Sequence, residues 1–291
     1  MAMLIGQAAG LGLLAAGIGV AIAGCGALRL ADWFADQKLR SVLLRAASRA
    51  APPFALEMLA DLPEPARRFY RFSLQPGTAL RTTALIRMGG ALGLGPKDNP
   101  KYQQMKAKQI LAPPHGFLWQ MQLAGPPWVS VSDAYGQGQS WSRLWLLGLC
   151  PLGRVSRSPD HRRSAFGRMV GEAVFWVPTA FLPAAHAGWD SLVWKALDHN
   201  SAEVTVCYQG LCQTVVLTVD DNGCPLRVVF PRWSNENPDR VYRVQPFGGD
   251  LAHSAWSGGV RVPMQVTGGN HFGTTEYHPF YRAKLDSISF I

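Results

Sequence analysis

The chain is short of charge. Only 16% of its 291 residues are Asp, Glu, Lys or Arg, against about 25% in an average soluble protein. Acids are the scarcer sign: 19 Asp and Glu face 28 Lys and Arg, a formal net charge of +9. Disorder needs high charge and little apolar surface, so a chain that is 48% hydrophobic is not intrinsically disordered. Cysteine is rare, at five residues, which excludes a small scaffold held by many disulfides. Motifs of catalysis are missing too. The sequence has no His-Glu-x-x-His, Gly-x-Ser-x-Gly, Ser-x-x-Lys or Walker A loop, so zincin, serine-hydrolase and P-loop chemistries lack their signatures. There is no regular repeat. Glycine (30), proline (21) and tryptophan (10) are plentiful instead, and that much Gly and Pro argues against a helical bundle.

The missing charge is concentrated at the start. Residues 2–28 carry no charged side chain, longer than the roughly 20 residues a helix needs to cross a bilayer. Gly6 and Gly10 form a GxxxG, which chance supplies in so Gly-rich a stretch. Two readings of the segment stand side by side. Ile22-Ala23-Gly24-Cys25 has the order of a bacterial lipoprotein cleavage site, with Cys25 receiving lipid, although the usual Lys or Arg of an n-region is absent. In the other, the segment is an uncleaved anchor and Cys25 a small apolar filler. Arg29, Lys38, Arg40, Arg45 and Arg49 follow it, which by the positive-inside rule holds the main domain in the cytoplasm. The later cysteines point outward. Cys207 and Cys212 flank Tyr-Gln-Gly-Leu between two apolar runs, opposite each other across a hairpin and within bridging reach. A disulfide there implies a non-cytosolic face; the alternative is a pair of reduced, buried thiols. The expected location is the bacterial inner membrane, with the domain periplasmic and the cytoplasmic face as the alternative.

Residues 29–54 read as an amphipathic juxtamembrane helix ended by Ala51-Pro52-Pro53, and residues 55–291 as one domain. Asp61 opens a short helix that continues through Phe72. Strands are expected at 82–88, 106–111, 117–123 and 128–132 from their alternation. Gly89–Gly95 is expected to be a turn-rich link and Asp133-Ala-Tyr-Gly-Gln-Gly a turn. The apolar run 141–149 suits a strand or a helix. Ser158-Pro159-Asp160 begins an internal helix whose apolar residues recur through Val177, with Pro178 as its stop. Strands follow at 201–208, 213–220 and 226–232, with a turn at Asn222-Gly223, and at 242–246, 260–265 and 283–290. The fold class is α+β: a transmembrane helix, then a large antiparallel sheet with a few packed helices.

An ordered set of motifs then narrows the field. Leu62-Pro63 and Arg68-Phe-Tyr are followed by Pro114-His-Gly-Phe-Leu-Trp and Asp133-Ala-Tyr-Gly-Gln-Gly. After them come Gly171-Glu-Ala-Val-Phe-Trp-Val-Pro-Thr-Ala-Phe, Trp189 and Arg261-Val-Pro. Together, over residues 61–290, they resemble an uncharacterised bacterial family of membrane-anchored domains with no assigned reaction. The strand-rich layout, with Pro114-x-x-Phe117-x-Trp119 and an Asp-containing hairpin, also resembles the lipoprotein-carrier (LolA/LppX) half-barrel. That resemblance implies a curved antiparallel sheet closed by helices around a greasy cavity, and lipid or lipoprotein handling.

Candidate chemistry is sparse. Glu172, flanked by Ala173, Val174 and Trp176, is the leading acid or base; its structural alternative is an i−4 ion pair with Arg168. Asp133, with Tyr135, is second, and the alternative role for Asp133 is to bond turn amides. The seven histidines show no metal-ligand spacing, and no cofactor is expected. Arg154, Arg157, Arg162, Arg163 and Arg168 form a basic group without a nucleic-acid motif; anionic headgroups or solvent are its partners. The expected function is binding of a lipid or other hydrophobic ligand at the envelope. Trp119, Trp141, Trp145, Phe175 and Trp176 would line the cavity, with Arg168 and Glu172 at its edge. Two alternatives are an enzyme acting on a lipid or cell-wall substrate through Glu172 or Asp133, and a structural partner in an envelope complex.

Overall fold

A computed structural model describes the backbone of residues 2–47 and 51–291, and the side chains of residues 17–47 and 51–291. It contains helices α1 (Ala2–Ala46), α2 (Glu64–Ser73) and α3 (Pro159–Trp176), with three short 3-10 turns at Leu56–Leu59, Pro178–Phe181 and Pro183–Ala185. A first antiparallel meander comprises β1 (Ala84–Leu94), β2 (Lys101–Ala112), β3 (Gly116–Leu123), β4 (Val129–Gly136), β5 (Gln139–Leu146) and β6 (Cys150–Ser156). A second comprises β7 (Ser191–Ala196), β8 (Ser201–Tyr208), β9 (Leu211–Val219), β10 (Pro225–Ser234), β11 (Arg243–Ser257), β12 (Val260–Asn270) and β13 (His278–Phe290). Pairing of β1 with β13 fuses the two into one 13-stranded sheet with β6 and β7 at its edges.

The sheet is strongly curled. Helix α3 packs on β3, β4 and β5 and also on β9, β10 and β12. From β5 to β9 is nine steps in the sheet order, about 43 Å if flat at roughly 4.8 Å per strand. A helix about 10–12 Å across reaches both groups only if the sheet wraps around it. α3 forms where its sequence signals it: Ser158 caps it by accepting from the His161 amide at 3.2 Å, Pro159 occupies the first turn, and Pro178 follows its end. On its inner face Gly171 lets the Phe230 ring lie against the helix backbone, where a Cβ would stand 2.6 Å from Phe230 Cζ. The main core lies here, with Phe166, Met169, Val170 and Trp176 fully shielded.

α1 lies on the opposite, convex face, against β2, β3 and β4. Leu39 and Leu43 pack there with Ile110, Leu118, Ala134 and Trp141. Buried charge completes the joint. Arg143 pairs with Asp32 at 3.2 Å and with Asp36 at 3.5 Å, and Arg154 holds Asp32 through two bonds of 2.5 and 2.8 Å. Asp36 also accepts from Gln120 at 2.8 Å and Ser132 at 2.9 Å.

Several expectations need correction. The apolar stretch and the juxtamembrane helix are one continuous helix, because the helical φ/ψ run is unbroken from Ala2 to Ala46. β1 runs on through the glycines expected to form a link. Gly90 sits at φ +147°, and a Cβ there would overlap the Arg282 carbonyl on β13, so glycine permits close pairing rather than a turn. Asp133 lies within β4, and the turn comes later, at Gln137 and Gly138. The 141–149 run is strand through Leu146. α2 is preceded by Pro63 as its N-cap rather than Asp61. β6 and β7 have no counterpart among the expected strands, and β11 reaches 15 residues.

The buried ion pairs supply a test. Arg143→Met leaves Asp36 enclosed without its cation and should destabilise the full chain by about 3–5 kcal/mol, read by denaturant unfolding in detergent. Adding Asp36→Leu should recover part of that loss, which an effect of packing alone would not.

Candidate functional site

Strand parity decides which side chains meet beneath α3. Odd-numbered residues of β3 and β4 and even-numbered residues of β5 face inward, so Trp119, Met121, Val131, Asp133, Ser142 and Leu144 line one wall of a cavity of about 590 Å³. Arg168, Gly171, Glu172, Phe175 and Trp176 of α3 form its roof, and Val228, Phe230, Phe247 and Val266 the far wall. Leu94, Gly95, Asn270 and His278 lie at its rim, where β1 and β12 end and β13 begins.

A polar cluster interrupts this apolar lining. Arg168 makes a close ion pair with Asp133 and a second with Glu172 at 2.7 Å, the i,i+4 geometry of the helix. Its guanidinium also lies 5.0 Å from the ring centres of Phe117 and Trp119. Burial works against its charge, but Glu172 and Asp133 outweigh burial and hold the pKa above the ordinary arginine value. Gln109 donates to the other Glu172 oxygen at 2.7 Å. Among the described residues Asp133 Oδ1 has no hydrogen-bond partner, and Trp119 Nε1 and His278 Nε2 are likewise shielded and unbonded. Arg232 reaches the same cavity, stacked 4.8 Å over Phe247. Burial first, then Arg168, lowers its pKa. Burial alone dominates at Tyr281, raising the phenol well above its ordinary range, with Glu172 adding to the effect.

Of the residues singled out from sequence, Trp119, Phe175, Trp176, Arg168, Glu172 and Asp133 come together here. Trp141 and Trp145 do not. On β5 the odd positions face outward, so Trp141 packs under α1 and Trp145 lies beneath Arg29 and Arg154 at 5.1 and 5.5 Å. Tyr135 is inward, against Phe166, and burial pushes its pKa up to about 12. Gln109, Arg232 and Tyr281 were not anticipated. For Arg232 the signal was present: Val228 and Phe230 alternate inward on β10, and Arg232 continues their row. Cys207 and Cys212 are direct cross-strand partners and form a disulfide outside the cavity lining. Cys25 lies within α1, half-buried and, among the described residues, without a disulfide partner. Among the described residues no three His, Cys, Asp or Glu side chains converge as a metal set.

Comparison with known proteins gives a family. A family described as one of unknown function, DUF6544, matches residues 52–283. No curated protein matches the sequence. A LolA-superfamily protein from Nitrosomonas europaea aligns over 72% of this chain and 86% of its own, with 8% identity and a TM-score of 0.40. A domain titled a putative outer membrane lipoprotein-sorting protein, from Vibrio parahaemolyticus, aligns over 81% and 91%, with 10% identity and a TM-score of 0.37.

Two histidines packed around this core make stability depend on pH. Burial lowers the pKa of His115, and lowers that of His161 against the opposing pull of Asp133. Both therefore hold a proton less readily in the folded chain than in the unfolded one, which takes up their protons near the ordinary 6.5. Stability is complete above that value and is lost as pH falls through the folded values. The melting temperature should drop between about pH 7 and pH 5, and His161→Gln should flatten part of that slope.

Proposed function

We propose that this chain, which belongs to the DUF6544 family, binds a lipid or other hydrophobic molecule in the cavity beneath α3 while tethered to a membrane by α1. The cavity carries the reading. At about 590 Å³ it falls within the roughly 300–1,000 Å³ of small-molecule sites, and its walls are mainly aromatic and aliphatic. A few polar groups, among them Trp119 Nε1, His278 Nε2 and Arg232, are left to orient a ligand's polar end. The tether rests on α1, whose described part, Gly17–Ala46, is long and apolar enough to cross a bilayer. In this reading residues 1–28 are the spanning part, 29–54 the juxtamembrane helix and Pro-rich link, and 55–291 the binding domain.

A second reading has one observation in its favour. Asp133 and Glu172, distant in sequence, meet in the cavity through Arg168, and an acid–base pair acting on a bound lipid would need such a meeting. Turnover of a bound ester that Glu172→Gln abolishes, with binding intact, would favour it over simple carriage.

The domain faces the periplasm in our reading, because the Cys207–Cys212 disulfide belongs to an oxidising compartment. The basic residues after the span favour the cytoplasm, so the two arguments compete directly. Cys25 lipidation is the competing form of the anchor: Ile22-Ala23-Gly24-Cys25 suits a lipoprotein peptidase, whose cut before Cys25 would replace the span by lipid, and intact mass decides between the two.

Two measurements check these proposals. Purified full-length chain should carry co-purifying lipid and bind a fluorescent fatty acid, and Leu144→Trp, which narrows the cavity, should weaken binding about tenfold, a change of roughly 1.4 kcal/mol. Absence of both lipid and probe binding removes the proposal. Exposed Cys150 should react with a membrane-impermeant maleimide in intact spheroplasts; reaction only after lysis puts the domain in the cytoplasm.

A further inference from the structure

The contacts that seat α1 also set the height of the domain along that helix. Arg29 lies over Trp145 at 5.1 Å, Asp32 meets Arg143 and Arg154, Asp36 meets Gln120 and Ser132, and Leu39 lies against Gly136. α1 thus runs along β4 in the direction from Val129 to Gly136. The part of α1 before Arg29 must leave past the other end of these strands, where the 124–128 connection and the 147–149 turn lie.

Arithmetic places the tips. Trp128 is four residues beyond Ser132 and Leu147 two beyond Trp145, about 13 and 7 Å at roughly 3.3 Å per strand residue. At about 1.5 Å per helix residue, with helix and strands parallel, these tips stand level with residues near 27 and 25 of α1. Burial agrees: Ile18, Val20 and Ile22 are exposed, and partial burial along the described part of α1 begins at Cys25. The uncharged stretch ends at residue 28. The tips therefore reach the plane where a spanning helix meets its first charge.

The surface at that plane is built for it. Trp128, Leu147 and Leu152 are 56%, 65% and 54% exposed, and the Leu147 amide donates to the Trp128 carbonyl at 3.1 Å, joining the two tips. Tryptophan favours the bilayer interface, where its ring is half in contact with lipid. Just above lies a groove of about 580 Å³ between α1 and the sheet, lined by Arg29, Arg87, Lys106 and Lys108 with Gln122 and Ser130. Asp36 and Asp286 also line it, but among the described residues no carboxylate lies within 4.0 Å of those four cations. The rim of the inner cavity shares this end, since Leu94 pairs with Lys101 and Met105 with Leu123.

We propose that this end of the domain is a membrane-docking face for the anionic leaflet that α1 enters. Trp128 and Leu147 sit in the interfacial layer, acidic headgroups occupy the basic groove, and the cavity mouth lies beside the bilayer. This rests on the membrane tether of the proposed function, and the test separates the two. Full-length chain with Cys25, Cys150 and Cys224 replaced by serine is labelled with an environment-sensitive fluorophore at Leu147→Cys or, as the remote control, Gln139→Cys. It is then reconstituted in phosphatidylcholine vesicles containing headgroup-region spin-labelled lipid, with or without phosphatidylglycerol. The label at 147 should be quenched several-fold more than that at 139. Phosphatidylglycerol should deepen the difference, and Lys106→Glu with Lys108→Glu should cancel that dependence. Equal quenching at both positions overturns the docking face, and unequal quenching indifferent to phosphatidylglycerol overturns the headgroup groove. Failure to float with the vesicles at all overturns the tether, and this proposal with it.

Discussion

The chain leaves the sheet at one edge strand and re-enters at the other, and α3 is the crossing. β6 and β7 stand at opposite ends of thirteen strands, yet only residues 157–190 join them. A flat sheet would cover that helix from one side only; here the sheet curls until β3–β5 on one side and β9, β10 and β12 on the other flank α3. The cavity follows from this. A single helix cannot fill the trough, and Gly167 and Gly171 on α3 leave its inner face slim where Gln213 and Phe230 approach. Arg168 and Glu172 are carried in with it, which is why a polar cluster stands in an otherwise apolar hollow.

The same strands serve two partners. Alternate residues of β3–β5 face either α3 or α1, so both faces of the sheet are used in this region, and polar residues such as Gln120, Ser132 and Arg143 on the α1 side are buried with the helix. The convex joint with α1 is unusual in its reliance on charge. Two buried aspartates of the helix meet two arginines of β5 and β6, with Gln120 and Ser132 completing the bonds of Asp36. Pairs of this kind add little net stability over apolar packing, but they hold a specific geometry, because any other docking leaves enclosed charges without partners. The joint is therefore a strut that sets the angle and height of the domain on its helix, where a Gly- or Pro-rich linker would set neither.

Local signals in the sequence were reliable where one residue type has one mechanism. The Ser158-Pro159-Asp160 start of α3, the proline after its end, and the cysteines opposite each other across a two-residue turn all appear where such signals locate them. The signals failed where a neighbouring strand overrode local preference. Gly89 to Gly93 reads as a link in isolation, but in the sheet Gly90 is the residue that allows β13 to approach. Asp133 reads as a turn residue, but its partner Arg168 is supplied by a helix 35 residues on, which draws it into β4. β6 and β7 are exposed edge strands with weak apolar alternation, and only pairing reveals them.

Composition and periodicity by themselves determined an uncharged leading helix, an antiparallel α+β domain with one amphipathic internal helix, and a reservoir of tryptophans to bury. These depend on residue type and spacing along the chain. Which tryptophans share a cavity was decided only in three dimensions, since strand parity switches across the β4–β5 turn and sends Trp119 inward but Trp141 and Trp145 outward. The meeting of Asp133 with Glu172, and the depth at which Trp128 and Leu147 stand beside α1, depend likewise on the curl of the sheet and the ion-paired joint. Both arise from contacts between segments far apart in the chain, and no local pattern encodes them.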